Sequence, residues 1–537
     1  MAGAAIANGG AGAPPRADRQ TNPWLVAVVV ALAVFMEVLD TTIANVALRY
    51  ISGGLAVSSD ESSWVVTTYL VSNAIALMAS SFIAQRYGRK RFYLICLAVF
   101  TISSVLCGMA WDLPSLLVFR MIQGFAGGGM VPVSQSILTD AFPPQKRSQA
   151  FAIFGVAVVV APVIGPTLGG YLSDNFSWHW CFLINGPVGA FAFMLVYFLV
   201  SDPPSAKRKQ EDMRRDRIRF DIVGFLLVGT FLGALELVLD RGQTEDWFDS
   251  TFIIVTTTIC IAALIAAIPW LMTKRNPLID VRLIATRQFG SCMIVMLATG
   301  AILIATTQYV PQVLQENYGY TATWAGLALS PGGLVTMIMM FVVGRLSGLI
   351  QPKYLIAIGA GIIALAMYDL TRLNPDLSFG FFVVSRLYLG LGLPLIFIPI
   401  TAASYDGLRA DQTDQASALI NAARNTGGSI GVSIASNVLA HREQWHQSRL
   451  VEHLAPSDPA YNQTLNSVQS YFMQHGSTVA DAHSRAIAYI GQQVQSQASF
   501  LAYIDVFQVL AIISACAIPL ALLLRRVDQK SGGGAAH

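Results

Sequence analysis

Glu37 and Asp40 stand three residues apart inside the stretch WLVAVVVALAVFMEVLDTTIANVALR (24–49), which is otherwise apolar enough to span a bilayer. Three residues apart on a helix, two carboxylates share a face. A charge at that depth costs at least about 2.5 kcal/mol, so acids inside membrane helices are rarely idle. Two chemistries suit such a pair: taking up and releasing a proton, or neutralising a buried cation. Three cations lie inside other apolar stretches, Arg120, Arg386 and Arg424. A guanidinium is always charged and needs a carboxylate or carbonyl partner when buried. An acid beside it responds to any change of shape or of substrate charge, which tips a proton on or off.

These residues need a frame of membrane helices to position them. The 537-residue chain is 54% hydrophobic and only 12% charged, which excludes a soluble globular protein of this size and points to an all-α polytopic membrane protein. About fourteen stretches have the roughly 20 apolar residues that a crossing helix requires. They fall near 24–48, 63–84, 92–111, 115–138, 150–172, 180–200, 221–240, 252–272, 289–311, 324–345, 354–371, 378–402, 414–440 and 500–524. The net charge of +3 says little, but its distribution says more. Alternate loops hold 25 of the 34 basic residues and the opposite loops hold six. The excess puts both termini in the cytoplasm. The six cysteines sit in apolar stretches without metal-ligand spacing, so no metal site is expected.

The expected organisation is a disordered cytoplasmic tail (1–23), a first six-helix bundle (24–200), a charged cytoplasmic linker (201–220), two further helices (221–272), a second six-helix bundle (289–526) and a cytoplasmic tail (527–537). Residues 441–499 form the one long external loop, in which 478–499 reads as a helix that extends the last span outward. An echo links the bundles: Arg120-Met-Ile-Gln-Gly124 in the fourth span and Arg386-Leu-Tyr-Leu-Gly390 in the twelfth. Parallel six-helix repeats are the construction of one large transporter class. There is no G-x-S-x-G, no H-E-x-x-H and no phosphate loop, so the sequence does not read as an enzyme.

The turn Ser81-Phe-Ile-Ala-Gln-Arg86-Tyr-Gly88-Arg89-Lys-Arg91 resembles the loop signature G-x-L-A-D-R-x-G-R-R/K of the major facilitator superfamily. In that family an Asp and an Arg of this loop latch the inward gate. Here Gln85 stands at the Asp position, and Asp140 is the substitute acid. The fourth span, with Arg120, Gln123 and Gly124, resembles the family's proton-handling motif. The fifth span carries Gly155, Pro162, Gly165, Pro166, Gly169 and Gly170, in an order that resembles the antiporter signature of the family's exporters. Leu39-Asp40-Thr-Thr-Ile-Ala-Asn-Val-Ala-Leu48 and Ala423-Arg424-Asn-Thr-Gly427 are similar to the 14-spanner drug:H+ antiporters of the EmrB/QacA type.

The resemblance implies two six-helix bundles with spans 7 and 8 inserted between them, and a cavity lined by spans 1, 4, 9 and 12. It implies proton coupling by Asp40, Glu37 and Arg120, and a substrate cavity with Glu37, Gln123, Thr307, Gln308, Gln312 and Arg386. It implies gating by Arg86, Gly88, Arg89, Asp140, the fifth-span glycines and prolines, and Arg424. Glu236 in the seventh span is then peripheral. No cofactor is expected beyond the proton gradient. The expected partners are hydrophobic small molecules, protons, membrane lipid, a periplasmic adaptor (membrane fusion) protein and an outer-membrane channel, with no nucleic acid. The expected place is a bacterial inner membrane. The alternatives left open are an exporter dedicated to a self-made metabolite, such as a siderophore or fatty acid, and a membrane protein that transports nothing. Which of Glu37 and Asp40 carries the proton is also open.

Overall fold

The computed structural model of the chain describes residues 22–202, 206, 210, 211, 213, 215, 219–274, 277–406, 408, 412–452, 454 and 457–524. Most of both expected tails and much of the charged linker lie outside the described residues. Among the described residues there are fourteen long helices. They are α1 Pro23–Leu55, α2 Ser59–Tyr87, α3 Arg89–Cys107, α4 Leu113–Ala141, α5 Arg147–Asn175, α6 Trp180–Leu199 and α7 Ile222–Arg241. There follow α8 Thr251–Thr273, α9 Arg287–Glu316, α10 Ala322–Leu346, α11 Pro352–Leu370, α12 Phe379–Ser404, α13 Thr413–Glu452 and α14 Val479–Leu522. Helices are the form a chain of this composition must take in lipid, because they satisfy every backbone group within the segment.

Thirteen of these helices are long and apolar enough to cross a membrane. The other is α13. It runs for 40 residues, but Asn421, Arg424, Asn425 and Thr426 make its middle polar. Tertiary packing holds it: it lies between α9 and α14.

Local signals start and stop the helices. Ser58 and Glu61 form a reciprocal cap on α2, and Asp112 caps α4. Gly88, at φ +95°, turns the chain between α2 and α3 in a conformation that a side chain would disfavour.

The two six-helix sets pack alike. In the first, α1 lies on α5 and α6, α2 on α4, and α3 on α4 and α6. In the second, α9 lies on α13 and α14, α10 on α12, and α11 on α12 and α14. The sets meet along α5–α10 and α2–α13, and these seams are also related by the repeat. The pair α7–α8 stands outside both sets, with α7 against α2 and α13.

The ends of the bundle differ. One carries the basic turn at Arg86–Arg91, and is called the basic end below. At the other, α13 and α14 continue past the bundle and, with Pro459–Gln474, make a helical hairpin. Leu465, Ala486 and Ile490 give the hairpin a small core of its own. At its base Asp505 of α14 accepts from Arg442 at 2.5 Å and pairs with His446 at 2.8 Å, both on α13.

Candidate functional site

Asp40 and Arg120 are joined. Arg120 Nη1 donates to Asp40 Oδ2 at 2.6 Å, and both side chains are fully buried. The other carboxylate oxygen collects neutral donors from α4 itself and from two further helices, α6 and α3. Gln123 Nε2 lies at 2.9 Å, Asn185 Nδ2 at 2.6 Å and Ser104 Oγ at 3.5 Å from Asp40 Oδ1. Arg120 is held in turn by the Val65 carbonyl at 3.1 Å and by Gln123 Oε1 at 2.9 Å. Its guanidinium lies 4.3 Å from the Tyr69 ring centroid and 5.5 Å from that of Phe182. The ion therefore exchanges water for two aromatic faces and three polar contacts, which is what makes a charge tolerable at this depth. Gln123, expected in the substrate cavity, belongs to this buried cluster instead.

The same construction recurs in the second set, without the acid. Arg386 Nη2 donates to the backbone carbonyl of Thr306. Eighty residues separate these partners, as they separate Asp40 from Arg120. Thr306 thus stands where Asp40 stands in the first set. Arg386 is 4% exposed, so it is packed between α12 and α9 rather than presented to a cavity. Thr307 is also buried, with its hydroxyl turned back to the Leu303 carbonyl. Gln308 is exposed, and Gln312 donates to Glu316 at 2.9 Å.

Glu37 keeps its own company. Its Oε1 accepts from Asn73 Nδ2 at 3.4 Å, and its Oε2 is buried without a hydrogen-bond partner. Arg424 of α13 acts on it electrostatically without a direct ion pair. The Arg424 guanidinium rests on Asn425 Oδ1, and its Nη1 has no partner. Asn425 in turn reaches Asn73 at 3.4 Å. Two groups of opposite charge, one from each set, thus hold unused hydrogen-bonding capacity.

At the basic end the sets are latched. Arg89 pairs with Asp140 at the end of α4 and, at 2.8 Å, with Asp414 at the start of α13. Asp140 therefore sits where the substitute acid was expected, and Asp414 adds a partner from the other set. One turn deeper, Gln135 Oε1 accepts from Tyr405, Ser417 and Asn421 at 3.0, 2.8 and 2.7 Å. Arg86 instead donates to the Met213 carbonyl at 3.0 Å and so ties down the linker.

The fifth-span signature forms a wedge between the sets. Gly165 and Gly169 face Thr42 and Ile43 of α1, next to Asp40, and a Cβ at Gly165 would collide with Thr42. Gly155 faces Met340 of α10 and Phe397 of α12. Pro162 and Pro166 lie inside α5, which stays helical throughout. Small residues let the backbones approach this closely.

Glu236 is not peripheral. It is 4% exposed and accepts from Ser429 of α13. The sequence reading placed the inserted pair between the bundles, but it had no means of turning one face of α7 into the α2–α13 seam. Asn73, Ser104, Gln135, Asn185 and Asp414 were likewise not singled out for a role. The available signal was the presence of polar residues, above all Asn73, Gln135 and Asn185, within otherwise apolar spans.

Two repeated six-helix sets, a buried ion pair inside the first and a latch between them at one end make the frame of a polytopic membrane transporter. The chain belongs to the Major Facilitator Superfamily, whose family model matches residues 30–432. It is 35% identical over 485 residues to the Multidrug export protein EmrB of Haemophilus influenzae, covering 90% of this chain and 92% of that protein. It is 34% identical over 520 residues to the EmrB protein of Escherichia coli, covering 96% and 98%. It is also 34% identical over 512 residues to the Fatty acid resistance protein FarB of Neisseria gonorrhoeae, covering 95% and 97%. Among solved structures, the proton:xylose symporter XylE shares the fold at a TM-score of 0.56 and 14% identity, covering 91% of this chain and 94% of that one.

Proposed function

We propose that this chain is a proton-driven antiporter that exports hydrophobic and amphipathic compounds from the cytoplasm by alternating access. The observation that carries the reading is the fully buried Asp40–Arg120 pair. A proton on Asp40 removes its charge and frees Arg120, so the pair's stability depends on proton occupancy. The basic loops and both termini face the cytoplasm. The Arg89 latch and the Gln135 bonds then describe the state closed to the cytoplasm. Protonation from outside weakens the pair and favours the inward-open state, while substrate binding favours proton release. Rocking of the two sets about the fixed centre exchanges the openings.

The unused atoms of Glu37 and Arg424 mark the substrate end of the site. One suits the cationic head of an amphipathic drug and the other suits an anionic head. Relatives named for multidrug export and for fatty acid resistance fit these two chemistries. The second reading, an exporter dedicated to one fatty acid or similar anion, is favoured by Arg424 alone.

The protein sits in the inner membrane of a bacterium, and the hairpin of α13, Pro459–Gln474 and α14 docks a periplasmic adaptor that leads to an outer-membrane channel. Exposed Trp445, Val451, Tyr471 and Val479 supply apolar contact there. The test is uptake of a fluorescent lipophilic cation into everted vesicles, whose outer face is the cytoplasmic one, under an imposed pH gradient. Asp40→Asn should abolish gradient-driven transport while leaving gradient-free exchange. Full uphill transport by folded Asp40→Asn refutes the coupling role of the pair.

A further inference from the structure

The proposed cycle gives α7 and α8 no task, yet α7 carries two carboxylates one turn apart, Glu236 and Asp240. They hold different sets of helices. Asp240 accepts from Thr67 of α2, and Glu236 accepts from Ser429 of α13. One helix thus grips both sides of a moving seam.

The surroundings of Glu236 are short of compensating charge. Among the described residues no cation pairs with it. From α8 only apolar residues, threonines and Cys260 are available, and Cys260 turns to the Phe231 carbonyl. α2 offers Thr67 here, its Asp60, Glu61 and Arg86 lying at the helix ends. α13 offers Ser429, with Arg424 more than a turn away and resting on Asn425. Within α7, Asp240 is of like charge, and Arg241 is taken up by the Asp60 carbonyl, Ser63 and Glu245. An ionised carboxylate buried with a neutral hydroxyl for company is costly, and the neutral acid is not.

Glu236 also communicates with the centre. Ser429 Oγ lies 3.3 Å from the Asn425 carbonyl, and its single O–H is free to donate there when a neutral Glu236 carboxyl donates to Ser429; Asn425 Nδ2 donates to Asn73 at 3.4 Å, and Asn73 Nδ2 to Glu37 at 3.4 Å. At the far end of this chain lies the unpartnered Oε2 of Glu37, a residue 5% exposed.

We infer that Glu236 is a second proton-binding carboxylate of this transporter, seated on the inserted helix and bonded across the α7–α13 seam. The inference rests on the alternating-access reading above. α7 packs mainly on α2, so the Glu236–Ser429 bond is the one that a rotation of the two sets parts. Once parted, the carboxyl faces water. Its O–H bond breaks, the proton passes to water and the carboxylate keeps the electron pair. Taking a proton back restores the neutral acid before the seam closes. The inserted pair thereby adds a charge that changes with the conformational cycle.

The test is infrared difference spectroscopy of the purified chain in lipid nanodiscs, between acidic and alkaline buffer. The wild type should lose a carboxylic C=O band on alkalinisation. Glu236→Gln should remove one component of that band, Glu236→Asp should restore it at a shifted position, and Asp40→Asn should leave it in place. An unchanged band in folded Glu236→Gln overturns the inference. If Glu236→Gln does not fold, Ser429→Ala keeps the carboxyl and removes only its donor, so it must move the same component; a component that stays put overturns the inference. In everted vesicles with ethidium as probe, Glu236→Gln should reduce gradient-driven uptake by about tenfold or more while gradient-free exchange persists. Wild-type uptake that ignores the gradient would refute the proposed function, whereas the infrared result would still decide whether Glu236 holds a proton.

Discussion

Removing one member of the Asp40–Arg120 pair should cost far more than removing both. Asp40 accepts from Arg120 at 2.6 Å, Gln123 at 2.9 Å and Asn185 at 2.6 Å. Arg120→Ala leaves the carboxylate buried with neutral donors only, a loss of about 3–5 kcal/mol. It also removes the guanidinium from the faces of Tyr69 and Phe182, worth about 0.5–2 kcal/mol more. Asp40→Asn keeps the volume and most donors but strands Arg120 on the Val65 carbonyl and Gln123, again about 3–5 kcal/mol. The double variant carries no buried charge and loses mainly hydrogen bonds and packing. A double-mutant cycle should therefore return a coupling of about 3 kcal/mol. The assay is detergent-solubilised unfolding followed by tryptophan fluorescence, with all four proteins at one pH. If the single losses simply add in the double variant, the two residues are not an energetic unit and the transport argument built on them fails.

The remaining predictions concern the frame around that pair. Asp414→Asn removes one arm of the Arg89 latch and should shift the equilibrium toward the state open at the basic end by about 3 kcal/mol, roughly a hundredfold. An Ala418→Cys reporter, buried in this structure, should then react with a maleimide correspondingly faster in a background without the native cysteines; an unchanged rate would mean the latch does not set the state. Gly165→Val drives a side chain into Thr42 and should cost about 1–3 kcal/mol, partly recovered by Thr42→Ala, as read by thermal unfolding. Leu465→Asp should open the small core of the outer hairpin and abolish resistance in cells while transport in vesicles is retained. Retained cellular resistance with a demonstrably opened hairpin would refute the docking role.

Much of the frame was legible in the sequence because a bilayer imposes one rule on every span. Length and apolar composition predict helices whatever their neighbours, and α13 shows where that rule weakens. With Asn421, Arg424 and Asn425 in its middle, α13 is not apolar enough alone, and its place comes from α9 and α14 packing on it. The site was partly legible for a related reason. Charges are so costly in lipid that Glu37, Asp40, Arg120, Arg386 and Arg424 stood out as candidates without any structure.

Sequence alone therefore determined which residues must find partners, and that the frame is a repeat of helices. The tertiary structure alone decided who the partners are. Two buried arginines follow the same local motif. The first faces Asp40 and the second faces the Thr306 backbone, so the two sets differ in charge at corresponding places. Asp414 and Asp140 close on the same Arg89 from different helices. Glu236, read as peripheral from its position in the chain, lies in the seam between the sets because α7 turns one particular face toward α13. Burial cost belongs to a residue type and can be read one residue at a time. Pairing belongs to the relative rotation and depth of two helices, which packing over the whole bundle sets.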